Sequence, residues 1–315
     1  MRRPPTRLQP PRLTGLLRAR HLSTTTAKPR PYLSLAFVAV SGSALAYYFL
    51  FPDPSRAAPT SSDAPLSPTH FTPSTVASSQ QCGHDTKLIG LRVPPHLLSA
   101  SSGRFSPIWS IYIKDDDIQV ERPYTPLNGV DDEGNMLFWI KKYPKGEVGR
   151  WLHGKQVGEQ IELRGPLTTW TWQDEHWDEV VMVSGGTGIT PFYQLFQSVI
   201  SSLPRDSSTR FKLLHASRSP RDLPPPLILQ PLVAFAEKNP DRFNLHLFVD
   251  HMGDSAAPGD SSSVPLHEGL IDKSAVQRLV FSETKSSWWP RLWRSRTERP
   301  QSNKRILFLV CGPEP

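Results

Sequence analysis

The sequence predicts two domains behind an apolar N-terminal stretch: a small antiparallel β-barrel over 68–171 and a parallel α/β domain over 176–315. Three observations predict it. Short apolar runs broken by turn residues fill the first region, at the spacing of a β-barrel. Strand-like and helix-like runs alternate in the second, as parallel α/β units do. Ahead of both, residues 31–51 contain no charged side chain.

The chain begins with a basic segment. Residues 1–30 hold eight of the 36 basic residues, and no acidic residue precedes Asp53. Its Arg-rich, acid-free composition, ending in Ser23-Thr24-Thr25-Thr26, is that of a mitochondrial transit peptide. The following 31–51 is long enough for a transmembrane helix, since a bilayer core needs about 20 helical residues. Tyr32, Tyr47 and Tyr48 stand toward its ends, where aromatic rings favour the headgroup layer. Targeting plus a single span predicts a mitochondrial inner-membrane protein with its folded domains in the intermembrane space; a secretory signal anchor is the alternative reading. Residues 52–80 are rich in Pro, Ser, Thr and Ala and predict a flexible tether, with 52–67 as the Pro/Ser-rich linker proper.

Without residues 1–30, 28 basic residues face 29 acidic ones. A folded part so near neutrality argues against a nucleic-acid partner. The two cysteines, Cys82 and Cys311, cannot supply a disulfide framework or a four-cysteine zinc site. His84, His96, His153, His176, His215, His246 and His251 show no paired metal-ligand spacing, so no metal site is expected.

In the first region, strands are expected at 88–93, 108–113, 119–120, 137–143 and 160–163, with turns at Asn128-Gly129 and Glu133-Gly134-Asn135. Between them lies Glu121-Arg122-Pro123-Tyr124-Thr125-Pro126. Arg122 offers a fork of donors suited to a pyrophosphate, and the two prolines stiffen the segment that carries it. Taken alone, the hexapeptide also reads as an edge strand with an exposed arginine. Ile140-Lys141-Lys142-Tyr143 follows, then Gly146-Glu147-Val148-Gly149-Arg150, Gly158-Glu159 and Arg164-Gly165-Pro166.

In this order these features resemble the ferredoxin-reductase-type flavoproteins, particularly the NADH–cytochrome b5 reductase branch. The resemblance implies an FAD-binding β-barrel domain. Arg122, Tyr124, Thr125, Pro126, Lys141, Tyr143, Gly146, Val148, Gly149 and Arg150 would hold the cofactor, with Thr125 near the reactive edge of the flavin. Backbone N–H groups at the start of a short helix after Gly146 would form an anion site. Gly149 departs from the pattern, which usually has Ser or Thr there.

In the second region, 180–183 reads as a buried strand, followed by Ser184-Gly185-Gly186-Thr187-Gly188-Ile189-Thr190-Pro191 and a helix over 192–201. A glycine-rich turn between strand and helix lets phosphates approach the backbone. Further strands are expected at 211–216, 243–249 and 306–310, with a helix over 229–238; the last strand ends in Cys311-Gly312-Pro313. Both motifs resemble those of the same reductases and imply an NAD-binding domain in which Gly185, Gly186, Thr187, Gly188, Pro191, Cys311, Gly312 and Pro313 meet the nucleotide. Cys311 would position the nicotinamide, not react with it, because the flavin is the redox centre. Members of this family continue beyond Cys-Gly-Pro through a helix and a final segment. The domain over 176–315 is therefore expected to be either short relative to them or truncated. NADH is preferred over NADPH on the family branch and on Lys145; Arg218 and Arg221 are candidates for a 2′-phosphate, so the choice stays open.

Residues 283–305 interleave seven cations with Trp288, Trp289 and Trp293, which suits an anionic bilayer surface or a solvated loop. Three functions are carried forward. One is an NADH–cytochrome b5 reductase. Another, suggested by the anchor, the tether and Pro107-Ile108-Trp109-Ser110, resembles the fungal mitochondrial flavoproteins that support haem attachment to cytochrome c. The acceptor would then be haem with apocytochrome c, in place of cytochrome b5. The last is a tethered scaffold without turnover.

Overall fold

Apolar side chains recurring every second residue build the first domain. In a computed structural model, which describes residues 58–98, 107–115, 117–173, 177–204, 207–252, 264–281 and 304–313, six antiparallel strands wrap one core. They are β1 (Thr72–Gln81), β2 (Thr86–Arg92), β3 (Trp109–Lys114), β4 (Glu121–Tyr124), β5 (Asn135–Lys141) and β6 (Gln160–Thr168). Ile89 and Leu91, Ile111 and Ile113, Phe138 and Ile140, and Ile161 and Leu163 each sit two apart and point into the same cluster, as the pleat requires. The spatial order is β4-β3-β6-β1-β2-β5. Among the described residues no ladder joins β4 to β5, so the expected barrel is a curled sheet open along one seam. A short helix, α1 (Glu147–Gly154), follows β5 and buries Val148 and Leu152 against the same core.

Two expectations are corrected here. The tether reading of 52–80 fails over its second half, where β1 pairs with both β2 and β6. Thr72 and Ser74 are fully buried there, so a polar composition did not prevent a central strand. The strand expected at 119–120 is a turn; Asp115 accepts Gln119 N–H (2.9 Å), and β4 begins at the motif itself.

The second domain is a parallel sheet of β7 (Glu179–Gly185), β8 (Arg210–Ser217), β9 (Phe243–Val249), β10 (Leu266–Glu268) and β11 (Ile306–Cys311). Its order, β10-β9-β8-β7-β11, takes the chain outward from β7 and then back to the opposite side. The C-terminal ends of β7 and β11 therefore form a topological switch point, where open α/β sheets bind ligands. The turn Gly186–Ile189 leads into α2 (Thr190–Leu195), which passes into a π-turn at Phe196–Ile200 instead of the single helix expected over 192–201. Helices α3 (Pro226–Lys238) and α4 (Lys273–Phe281) complete the described part; α4 and β10 were not anticipated from the sequence.

The two domains share one hydrophobic cluster. Leu88, Ile108, Leu127 and Trp139 of the first pack with Ile189, Phe192 and Tyr193 of the second. Among the described residues no helix is long and apolar enough to cross a membrane. The expected transit peptide, the span at 31–51 and residues 283–303 of the basic stretch lie outside them.

Candidate functional site

The open seam between β4 and β5 is the site. A cavity of about 380 Å³ lies there, lined by Arg122 and Tyr124 of β4, Trp139 and Lys141 of β5, and the start of α1 at Gly146 to Gly149. Thr187 of the second domain reaches the same cavity. Strand β4 is an edge strand, which admits Pro123 without losing a ladder hydrogen bond. Its first residue is anchored: Glu121 accepts from Arg164 Nε and Nη2, both at 2.7 Å, while Arg164 Nη1 donates to Pro68 O at 3.0 Å. Arg122, by contrast, is exposed, and its Nη1 donates to the Glu121 carbonyl at 2.9 Å. Burial pushes the Tyr124 phenol up, against the opposing pull of Arg122, so Tyr124 stays protonated.

The start of α1 has no side-chain cap. Its first N–H groups therefore lack intrahelical partners and favour an anion. Arg122 and Lys145 add positive charge to the same wall, whereas Glu147 subtracts from it. Lys141 is committed elsewhere, to Asp85 Oδ2 at 3.2 Å. Trp139, which also lines the cavity, has a buried indole N–H with no partner within the protein. An aromatic wall, an uncapped helix start, an arginine fork and an orphaned donor are the donor set that a flavin with a pyrophosphate uses. The residues present fit FAD.

Gly149 is explained by packing. A Cβ there would stand 2.9 Å from the Lys141 carbonyl oxygen, so α1 lies too close to β5 for any side chain. The hydroxyl expected at this position is absent because the backbone occupies its space.

At the switch point the two nucleotide motifs meet. A Cβ on Gly188 would fall 2.4 Å from Cys311 O, and one on Gly185 would fall 3.3 Å from Pro313 Cδ. Gly186 has φ +53°, a conformation that costs a side chain about 1–2 kcal/mol. Thr190 Oγ1 donates to Thr187 O at 3.0 Å and tightens the turn. The Cys311 thiol is half-buried, and burial raises its pKa, so it is held as a neutral thiol. Beneath the turn, Ser184 Oγ and His215 Nδ1 lie 2.9 Å apart, and His215 Nε2 and Ser217 Oγ 3.1 Å apart. Full burial pulls His215 down to about 3 and keeps it neutral. The open backbone of the turn and its closeness to the end of β11 fit a dinucleotide laid across the switch point.

The structure thus brings Arg122, Tyr124, Lys141, Tyr143, Gly146, Val148, Gly149 and Thr187 around one cavity. It gathers Gly185, Gly188, Cys311, Gly312 and Pro313 at the switch point. Gly186 and Pro191 lie on the turn between them and at the start of α2. Thr125, Pro126 and Arg150 do not line the cavity. Thr125 follows the end of β4 and is half-buried, Arg150 is exposed on α1, and Pro126 is buried. Sequence reasoning missed Trp139, Arg164 as the anchor of the motif strand, and Gln194. Trp139 directly precedes Ile140-Lys141, and that adjacency was the available signal.

Comparison with known proteins agrees with this geometry. Residues 73–172 match the family described as Oxidoreductase FAD-binding domain, and residues 182–315 the family described as Oxidoreductase NAD-binding domain. NADH-cytochrome b5 reductase 2 of Saccharomyces cerevisiae is 26% identical over 240 residues, 76% of this chain and 70% of that protein. Its counterpart in Meyerozyma guilliermondii is 37% identical over 194 residues, 62% of this chain and 55% of that one. The chain thus spans from about half to seven-tenths of the length of these curated relatives. Among solved structures, the cytochrome b5 reductase domain of Ulva prolifera nitrate reductase superposes with a TM-score of 0.56 at 22% identity, over 79% of this chain and 90% of that one. A ferredoxin NADP+ reductase from Neisseria gonorrhoeae with bound FAD and NADP gives 0.53 at 16% identity, over 77% and 85%.

Proposed function

The chain belongs to the ferredoxin-reductase-type flavoproteins, oxidoreductases that pair an FAD-binding with an NAD-binding domain, and on that premise we propose a membrane-anchored reductase that passes electrons from NAD(P)H to a haem protein. The observation that carries the proposal is the convergence of both domains on one cavity, which Thr187 of the nucleotide turn and Tyr124 of the flavin strand both line. FAD and NAD(P)H supply a hydride acceptor and a hydride donor, so that two electrons arrive together and leave singly.

The protein's part is placement. Arg122 and the α1 backbone would hold the pyrophosphate, and Tyr124 would give the ring a face to pack on. Cys311 would orient the nicotinamide as a neutral thiol, and Thr125, directly after Tyr124 though outside the cavity lining, would face the reactive edge of the flavin. The switch-point glycines let the nucleotide backbone approach where a side chain would block it. Trp139, Ile108 and Ile189 keep the junction dry, which strengthens each polar contact inside it.

The basic N-terminus and the apolar 31–51 support placement at the mitochondrial inner membrane with the folded domains in the intermembrane space. The named relatives favour cytochrome b5 as acceptor; the resemblance to haem-attachment flavoproteins favours haem with apocytochrome c. Detergent-solubilised full-length protein, reduced by NADH, separates them. Faster oxidation by cytochrome b5 than by haemin with apocytochrome c supports the reductase reading, and the reverse order supports haem attachment. Reduction of neither overturns the haem-acceptor proposal. Protease protection in isolated mitochondria tests the topology: domains digested in intact mitoplasts are expected, and full protection contradicts it.

A further inference from the structure

Gln194 lies on α2, seven residues after Thr187, and only 3% of it is exposed. A buried carboxamide is costly unless its donors and acceptor are satisfied. Among the described residues, the partners of the Gln194 side chain all belong to the other domain. Its Oε1 accepts the Trp109 N–H at 2.9 Å, and its Nε2 donates to Trp109 O at 3.3 Å and to Pro126 O at 3.2 Å. Trp109 opens β3, and Pro126 closes the Arg122 to Pro126 segment, directly after Thr125. Three main-chain groups of the flavin domain are therefore tied to one side chain of the nucleotide domain. The turn Gly186–Ile189 runs without a break into α2. A shift of α2 therefore moves Thr187 together with Gln194, and a shift of Pro126 carries Thr125. Phe192 and Tyr193, packed in the shared cluster, stiffen the same segment.

We propose that Gln194 is a positioning residue that fixes the nicotinamide turn against the flavin segment, and so sets the spacing across which hydride passes. It does not line the cavity; it acts through Pro126 and α2. The proposal rests on the reading of the cavity as the flavin–nicotinamide site. Placement of reacting groups is steeply rewarded, and displacement of about 1 Å costs on the order of 100-fold in rate.

The test compares full-length protein with Gln194→Met, which keeps the bulk and removes the hydrogen bonds. Three quantities are read: the limiting rate of flavin reduction by NADH in stopped flow, the long-wavelength charge-transfer absorbance of the reduced protein with NAD+, and hydrogen exchange at the Trp109 amide. The expected result is a limiting rate lower by about tenfold or more, a weaker charge-transfer band and faster Trp109 exchange. The FAD content and the Kd for NAD+ should stay within about twofold of the parent. An unchanged limiting rate with faster exchange overturns the proposal and leaves Gln194 a purely structural residue. Should Gln194→Met fail to hold FAD, Gln194→Glu, which keeps the acceptor for Trp109 N–H, takes its place; loss of FAD from both variants also overturns it. If the parent flavin is not reduced by NADH at all, the site reading itself has failed, and the exchange measurement still reports whether the three bonds exist.

Discussion

Gly188 shows how much one hydrogen in place of a methyl group decides. With Cys311 O 2.4 Å from the position of a Cβ, Gly188→Ala forces the turn and the end of β11 apart. We expect loss of NAD(P)H binding and destabilisation of about 1–3 kcal/mol, measured by nucleotide titration and urea unfolding. Gly149→Ser should do the corresponding damage on the flavin side. The serine restores the family's usual residue, yet its Cβ meets Lys141 O, so FAD affinity should fall, not rise. Tighter FAD binding in that variant would show that α1 relaxes freely. His215 gives the acid dependence. Its pKa of about 3 in the fold, against about 6.5 in an unfolded chain, means that below about 6.5 the unfolded state takes up a proton the fold refuses. This contribution is complete above about pH 6.5 and is lost on acidification toward 3, at about 1.4 kcal/mol per pH unit. His246, lowered to about 4, acts in the same direction. Urea midpoints measured from pH 7 to pH 4 should show the fall, and His215→Gln should flatten it.

At the scale of elements, the chemistry sits at one end of the parallel sheet and a structural ion pair at the other. Glu179 and Lys212 are both buried where β7 and β8 begin, with Oε1 and Nζ 3.0 Å apart, and Lys212 also donates to Leu279 O at 2.8 Å. Lys212→Met leaves the Glu179 carboxylate short of its buried partner. Lys304 still pairs with the other carboxylate oxygen of Glu179, so the loss should cost about 1–3 kcal/mol in stability, while the limiting rate of flavin reduction in the folded fraction is unchanged. Strand β4 has its own anchor in Glu121–Arg164. Arg164→Met should release FAD more than it slows NADH binding, as followed by flavin fluorescence.

The same elements show what could be read in advance. Strands β2, β3, β5, β6, β7, β8, β9 and β11 were legible because apolar, β-branched or aromatic residues recur at the pleat spacing or in buried runs. Strand β1 was not, since TPSTVASSQQ carries a single large apolar side chain, Val76, and draws its stability from pairing on both sides. Strand β10 is three residues long, too short for periodicity. For β4 the bland reading and the functional one coincide: it is an edge strand with an exposed arginine, and the open edge is what makes room for a cofactor.

For the whole molecule, the site is a junction, and that explains which of its parts were legible. Residues that belong to fixed local motifs, such as Arg122, Tyr124 and the Gly185 to Gly188 turn, carry their signal in neighbouring letters. Gln194, Trp139 and Arg164 act across long sequence separations, Gln194 at 85 residues from Trp109, and single-sequence spacing holds no trace of that pairing. The shared cluster of Leu88, Ile108, Leu127 and Trp139 with Ile189 and Phe192 makes the junction a packed interior, one continuous core between the two domains. The central claim is that FAD and a nicotinamide nucleotide bind at this junction and exchange a hydride. Anaerobic titration of the full-length protein with NADH, followed at the flavin absorbance maximum, tests it most directly. A yellow protein is expected, whose absorbance bleaches in proportion to added NADH, with an endpoint at equimolar nucleotide and flavin. A colourless protein, or a yellow one that NADH and NADPH both leave unbleached, would contradict it.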